Sequence, residues 1–405
     1  MNVVETNWRY KTEMTYPHSN DFIALVGKSA WRERVQTIAE HTCKPTRSSK
    51  LAATRFLAEC AIEKARRGLP LSSSEASFVN LATRLPMLHE TLSTQGKTRL
   101  SESLEAAMLG EATIIPLLHL MHTAELQKAR GFEVAFTGLN DATPFDLLIT
   151  RDGAAAEVAC EPISAEDGRA VHHRAWTALV DRVDPDLQTW LAAHPGRYLL
   201  KMTLPNGLKS APGTEDLPAL HARINNMLSS AKRADFDEAA MLRLDPLLLA
   251  GAQAHDGRIH QAGIMAKLKR EFGPEAHFSV TEADQSVFVM AARGSLEDQI
   301  AGAVRRRMSA IAPARLTGER PGILAMMIDD TDQVEWKTLC DQLLLEGEAR
   351  QFLTFQEARN VIAITCASRF ELARVGAAQG DLRFRNPMHP EAKSQALAPA
   401  VLSTF

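Results

Sequence analysis

Apolar residues recur at helical spacing through the first third of the chain, then give way to short strand-like runs broken by turns. From Lys50 onward Leu51, Phe56, Leu57, Cys60 and Ala61 repeat with a helical period, and Gly68-Leu69-Pro70 stops the run. Ser72, Ser73 and Ser74, followed by Glu75, read as the N-cap region of the next helix, because a hydroxyl there accepts a free first-turn amide. Further helices are expected up to Arg130. The last covers residues 111–129, with Ile114, Ile115, Leu118, Met121 and Leu126 on its apolar side. Residues 1–48 show no sustained period.

At Gly131 the pattern changes. Residues 132–136, 145–150 and 154–161 read as strands, Gly138-Leu139-Asn140-Asp141 as a turn-rich loop, and Arg151-Asp152-Gly153 as a hairpin turn. Ser164 and residues 166–168 introduce a helix continuing through His172, Trp176 and Val180. Strands follow at 197–203, 240–244, 278–281, 286–291, 323–328 and 360–366, with helices at 217–231, 296–311 and 334–345. This alternation predicts an α/β fold: a mainly helical region over residues 1–130, then an α/β domain over residues 131–405 with a mixed sheet flanked by helices. The chain has no internal repeat and no linker rich in Pro, Gly or Ser. The softest points are the loops at 205–214 and 250–263.

Composition narrows the class. Hydrophobic residues at 45% and charged residues at 23% are those of a chain that folds around a core. A net charge of −3 excludes coating nucleic acid by bulk charge, but leaves room for a local basic groove. Cys43, Cys60, Cys160, Cys340 and Cys366 form no CxxC pair and have no zinc-ligand spacing to histidines. An odd, scattered set fits reduced thiols. With a polar, interrupted N-terminus and no long apolar run, this points to a cytoplasmic protein with no membrane partner.

The candidate chemistry lies in residues 131–173. Asp146 opens the second strand; on the third, Glu157, Ala159 and Glu161 share one face while Val158 and Cys160 share the other. An Asp on one strand and Glu side chains on its hairpin partner converge, and such carboxylates suit Mg²⁺ or Mn²⁺, which polarises a phosphodiester and activates water. The order of elements and acids resembles the core of the PD-(D/E)XK nuclease superfamily. More narrowly, it is similar to bacterial proteins of uncertain function whose third strand reads Glu-Cys-Lys, followed by Ser, Gly-Arg and His. Asp146, Cys160, Ser164, Gly168, Arg169 and His172 fall at the matching places.

The resemblance implies a restriction-endonuclease-like core, metal ligation by Asp146, Glu157 and Glu161, and DNA or RNA as partner. Arg169 would stabilise phosphate charge from the same helix face as His172, and Glu125 on the preceding helix would add a carboxylate. The signature is degenerate: the family's acid falls on Ala159 and its lysine on Glu161. Alanine cannot ligate a metal, and glutamate cannot supply positive charge. The alternative is therefore a catalytically inactive nuclease-fold protein acting as a nucleic-acid-binding or protein-interaction module. A third reading is a structural component of a mobile element or defence system.

Secondary basic candidates are Arg305-Arg306-Arg307, Lys267-Leu268-Lys269-Arg270 and the Arg383-Phe384-Arg385-Asn386-Pro387 segment, the last equally a closing hairpin or docked tail. GxGxxG, Walker A, GxSxG and HExxH sequences are absent from the chain.

Overall fold

The computed structural model describes residues 19–209, 216–247, 268–270, 272, 273, 275–283, 286–373 and 381–404. Lys267 and residues 250–263 lie outside that set. Seven helices come first: α1 Ser19–Val26, α2 Lys28–Thr42, α3 Arg47–Arg55, α4 Leu57–Arg66, α5 Ser73–Thr91, α6 Thr94–Met108 and α7 Ile115–Ala129. Residues 19–42 are thus helical where no period was expected. The reason is that the buried side of α2 is Trp31, Arg34 and Ile38, so a charged residue interrupts the apolar stripe. Arg34 is buried against Glu59, 3.2 Å away, and donates to the Gly110 carbonyl at 2.7 Å. The run from Lys50 is two helices meeting at Phe56 rather than one. The capping box of Ser72 and Glu75 forms as the sequence predicts.

The chain then builds β1 Glu133–Ala135, a short helix α8 Thr137–Asp141 where a loop was expected, β2 Leu147–Arg151 and β3 Ala154–Ser164. Asp152 (φ 50°) and Gly153 (φ 77°) are both left-handed, which is what a two-residue hairpin turn between right-twisted strands requires. After β3 come α9 His173–Ala193, β4 Arg197–Leu204, α10 Asp216–Ser229, β5 Ala234–Phe236, β6 Met241–Pro246, β7 His277–Ala283, β8 Ser286–Gly294, α11 Ile300–Arg315, β9 Gly322–Asp329, α12 Gln333–Asp341, α13 Leu344–Phe352, β10 Val361–Ser368, α14 Arg369–Leu372, β11 Leu382–Arg385 and α15 Ala398–Val401.

The strands form two sheets rather than the single one expected. The first has the order β1-β2-β3-β9-β10-β11, the second β5-β6-β4-β8-β7. In the first, β1, β2 and β3 are an antiparallel meander, β3, β9 and β10 run parallel, and β11 closes the edge antiparallel. The connection from β3 to β9 contains the whole second sheet.

Both faces of the first sheet are covered, which is why β9 (GILAMMID) and β10 (VIAITCAS) are nearly continuous apolar runs. Leu147, Ile149, Val158, Ile323, Ala325 and Met327 pack with the N-terminal helices in one core. Ala159, Ile163, Leu324, Met326 and Ile328 pack on the opposite side with α11, α12 and α13. The change at Gly131 is therefore a change of element type inside a shared core. The second sheet packs Leu200, Met202, Phe288 and Met290 against α9 and α10.

Helix α3 ties the N-terminal layer to α9. The carboxylate of Asp181 accepts from the backbone amides of Arg47 at 2.9 Å and Ser48 at 2.8 Å, so it caps α3 from a different helix. Asp181→Ala is expected to lower stability by about 1 kcal/mol, the usual worth of a cap, read as a lower midpoint with unchanged slope in urea unfolding.

Candidate functional site

Strand β3 extends past the point where β2 begins. The last paired rung is Leu147 with Val158, so the edge beyond Ala159 has no strand partner from the hairpin. Asp146 substitutes for one. Its amide donates to the Val158 carbonyl at 3.0 Å, and its Oδ2 accepts from the Cys160 amide at 2.6 Å. The loop can come this close because residue 138 is glycine: a Cβ there would stand 2.8 Å from the Phe145 carbonyl oxygen and 2.9 Å from Asp146 Cα. Beside this edge lies a cleft of about 750 Å³, walled by α6, α7, α8 and the end of α11, with Asp146, Cys160, Glu161 and Arg315 in its lining.

The geometry brings Asp146 and Glu161 together, through an arginine that no local pattern singles out. Arg315, the last residue of α11, donates from Nη2 to Asp146 Oδ2 at 2.7 Å and from Nη1 to Glu161 Oε2 at 3.0 Å. Arg307, two turns earlier on the same helix, donates from Nε to Glu161 Oε1 at 2.8 Å and also through Nη2. Both oxygens of Glu161 are thus occupied by guanidinium groups, and its side chain is 7% exposed. Burial raises the Asp146 carboxyl above its ordinary range, with Glu161 adding to the rise. Arg315 and the Cys160 amide act against it.

Glu157 shares the strand face of Glu161 but serves a different purpose. It is fully buried and accepts from the Thr317 amide at 2.8 Å and from the Thr317 hydroxyl, fastening the loop that follows α11. Arg320 lies 4.0 Å from it. Ala159 is buried in the core beneath α11, at the place opposite Asp146 where the family pattern has an acid.

Arg169 is not part of this cluster, nor is it helical. Residues Ala165–Gly168 form a 3-10 turn, Arg169 is extended, and α9 starts only at His173, so Arg169 and His172 do not share a helix face. The Arg169 side chain is buried and bonded to Glu166, to Glu335 and to the Asp330 carbonyl. Glu125 pairs with Arg84 and, at 3.2 Å, with Lys128 on the outside of α7. Of the other basic candidates, Arg305 pairs with Glu348, and Arg383 donates to the Pro399 carbonyl at 2.7 Å behind the closing strand β11.

Comparison with protein-family models, with curated proteins and with solved structures found no match.

Among the described residues, no three His, Cys, Asp or Glu side chains are grouped to hold a metal ion. The donor chemistry agrees. A divalent cation between Asp146 and Glu161 needs carboxylate oxygens that Arg315 and Arg307 now hold, and Glu157 is committed to Thr317. The expected metal set does not fit as arranged. His119, a further residue of the cleft that sequence reasoning missed, hydrogen-bonds the Ala325 carbonyl through Nε2 at 3.0 Å. Burial lowers its pKa to about 4, which keeps the ring neutral. Among the described residues no helix is long and apolar enough to cross a membrane.

Proposed function

We propose that this chain is a catalytically silent PD-(D/E)XK-like scaffold that grips the phosphate backbone of a nucleic acid without cutting it. The observation that carries the reading is Arg315, whose guanidinium sits between Asp146 and Glu161 and bonds both. A positive charge fixed where a metal would bind neutralises the two acids and leaves water with no activating ion. The run α7-β1-α8-β2-β3, followed after the inserted second sheet by α11 and by β9 parallel to β3, supports the scaffold. The grip is supported by arginines along this strand: Arg307 on Glu161 and Arg320 near Glu157 are nearly half exposed, and Arg99 lines the cleft.

The test is calorimetry with Mg²⁺ and Mn²⁺, a cleavage assay on plasmid and single-stranded DNA and RNA, and binding of the same nucleic acids at two salt concentrations. The expected outcome is no metal-dependent cleavage in wild type or in Asp146→Ala, with salt-dependent binding. Arg320→Ala is expected to weaken that binding several-fold, about the worth of one phosphate contact, and to reduce the salt slope by about one. Cleavage that needs metal and disappears in Asp146→Ala would restore the catalytic reading. Absence of binding to every nucleic acid would remove the grip.

A further inference from the structure

A second cleft, of about 620 Å³, shares no lining residue with the first. It lies beyond the carboxyl ends of the parallel strands β9 and β10, between α3 and the first turns of α9. Crevices at that end of parallel strands are where open α/β sheets place their ligands, and this volume suits a small organic molecule.

The lining divides into two parts. One wall is apolar, from Leu51 and Ala52 on α3, Ala178 on α9 and Phe370 on α14. The other end carries Arg55 and Arg174. The nearby acids are already engaged. Asp330 accepts from Arg55 at 2.9 Å and from Ser164 at 2.7 Å. Glu166 binds Arg169 and the His173 amide, and Asp332 caps the Glu335 amide. Asp330 is also held at φ 57°, a left-handed conformation uncommon outside glycine and of the sort found where a site fixes its residues.

Arg174 differs from its neighbours. Among the described residues its ion-pair partner is Glu111, whose side chain is 61% exposed and reaches in from the loop between α6 and α7. Arg55 donates to the backbone carbonyl of the same Glu111 at 3.0 Å. Glu111 therefore engages both guanidinium groups, Arg174 with its carboxylate and Arg55 with its backbone carbonyl. Burial lowers the Arg174 pKa, and the charge of Arg55 lowers it further while Asp330 opposes. Arg174, held by one flexible glutamate and standing beside the Asp330-paired Arg55, is a place for a stronger anion, and the N-terminus of the long helix α9 opens on the same space.

We propose that this cleft binds an organic phosphomonoester of about the size of a nucleoside monophosphate. Its phosphate takes the position of the Glu111 carboxylate on Arg174, with the charge of Arg55 beside it, and its organic part lies along Leu51, Ala178 and Phe370. Displacement of Glu111 is then part of binding.

The experiment is calorimetry on the full chain with four nucleoside 5′-monophosphates, inorganic phosphate and adenosine, using wild type, Arg174→Ala and Glu111→Gln. Both substituted side chains are partly exposed, so melting curves are expected to match wild type. At least one monophosphate is expected to bind saturably, at least tenfold more tightly than phosphate or adenosine. Arg174→Ala is expected to weaken it by about tenfold or more, the worth of one charge-assisted contact. Glu111→Gln, which removes the competing charge, is expected to tighten it several-fold. No saturable binding by wild type or Glu111→Gln overturns the proposal. So does unchanged affinity in Arg174→Ala, or phosphate alone binding as tightly as its esters.

Discussion

Arg315→Ala is expected to destabilise the protein by about 3 kcal/mol at neutral pH and by much less at acid pH. Arg315 is the shared partner of Asp146 and Glu161, and removing it leaves two carboxylates side by side at a largely buried strand edge. Breaking such a pair from one side costs more than the pair is worth, because the remaining charges keep their desolvation while Asp146 is left with the Cys160 amide and Glu161 with Arg307 alone. The pH dependence follows from Asp146. Its folded pKa is raised by burial, so the native state holds this proton more tightly than the unfolded chain does. Its contribution is complete below the unfolded value and is lost as pH rises through the folded one. Arg315 pulls that folded value down, so the variant has a higher one and a wider window over which stability falls with pH. Urea unfolding of wild type and variant across the acid-to-neutral range checks this. Equal deficits at both ends would mean that Arg315 acts by packing rather than charge. A double variant, Arg315→Leu with Asp146→Asn, is expected to recover part of the loss at neutral pH, since it removes charge from both sides of the pair.

The hairpin, its Asp152-Gly153 turn and the acids of β3 were legible in the sequence because they depend on neighbours a few residues away. The apolar runs at β9 and β10 were legible because strands covered on both faces have no polar positions to interrupt them. What decides the site was not legible. Arg315 is separated from Asp146 by 169 residues and looks like any arginine closing a helix. Its position depends on β9 pairing with β3 across an inserted sheet, which local pattern does not specify. Glu157 is a similar case: it reads as a ligand on the face of Glu161, but its partner Thr317 comes from a distant loop. The break between α12 and α13 was missed because Leu343 takes a left-handed conformation (φ 56°) that leucine seldom adopts, so the apolar period runs through it.

Arg169 separates a phosphate contact from a structural rivet most sharply. Its side chain is 1% exposed and donates to the Asp330 carbonyl at 3.0 Å and to Glu335 from Nε at 3.1 Å, as well as to Glu166. It therefore joins the turn after β3 to the segment after β9. Burial acts to raise the Glu166 carboxyl, but His173 and Arg169 outweigh it and hold it below its ordinary range. That sign makes this group's contribution full above the unfolded pKa and lost as pH falls through the folded one. Arg169→Ala is expected to cost about 3 kcal/mol, at the lower end for a buried pair because Glu335 keeps some contact with water. Arg169→Lys keeps the charge but loses the fork that serves three acceptors, and is expected to remain at least about 1 kcal/mol below wild type. An arginine that only touches phosphate would behave otherwise: its removal would shift stability by about 0.5 kcal/mol or less and would act on nucleic-acid affinity. Chemical denaturation of both variants therefore distinguishes the roles, and an alanine variant as stable as wild type would return Arg169 to the binding face.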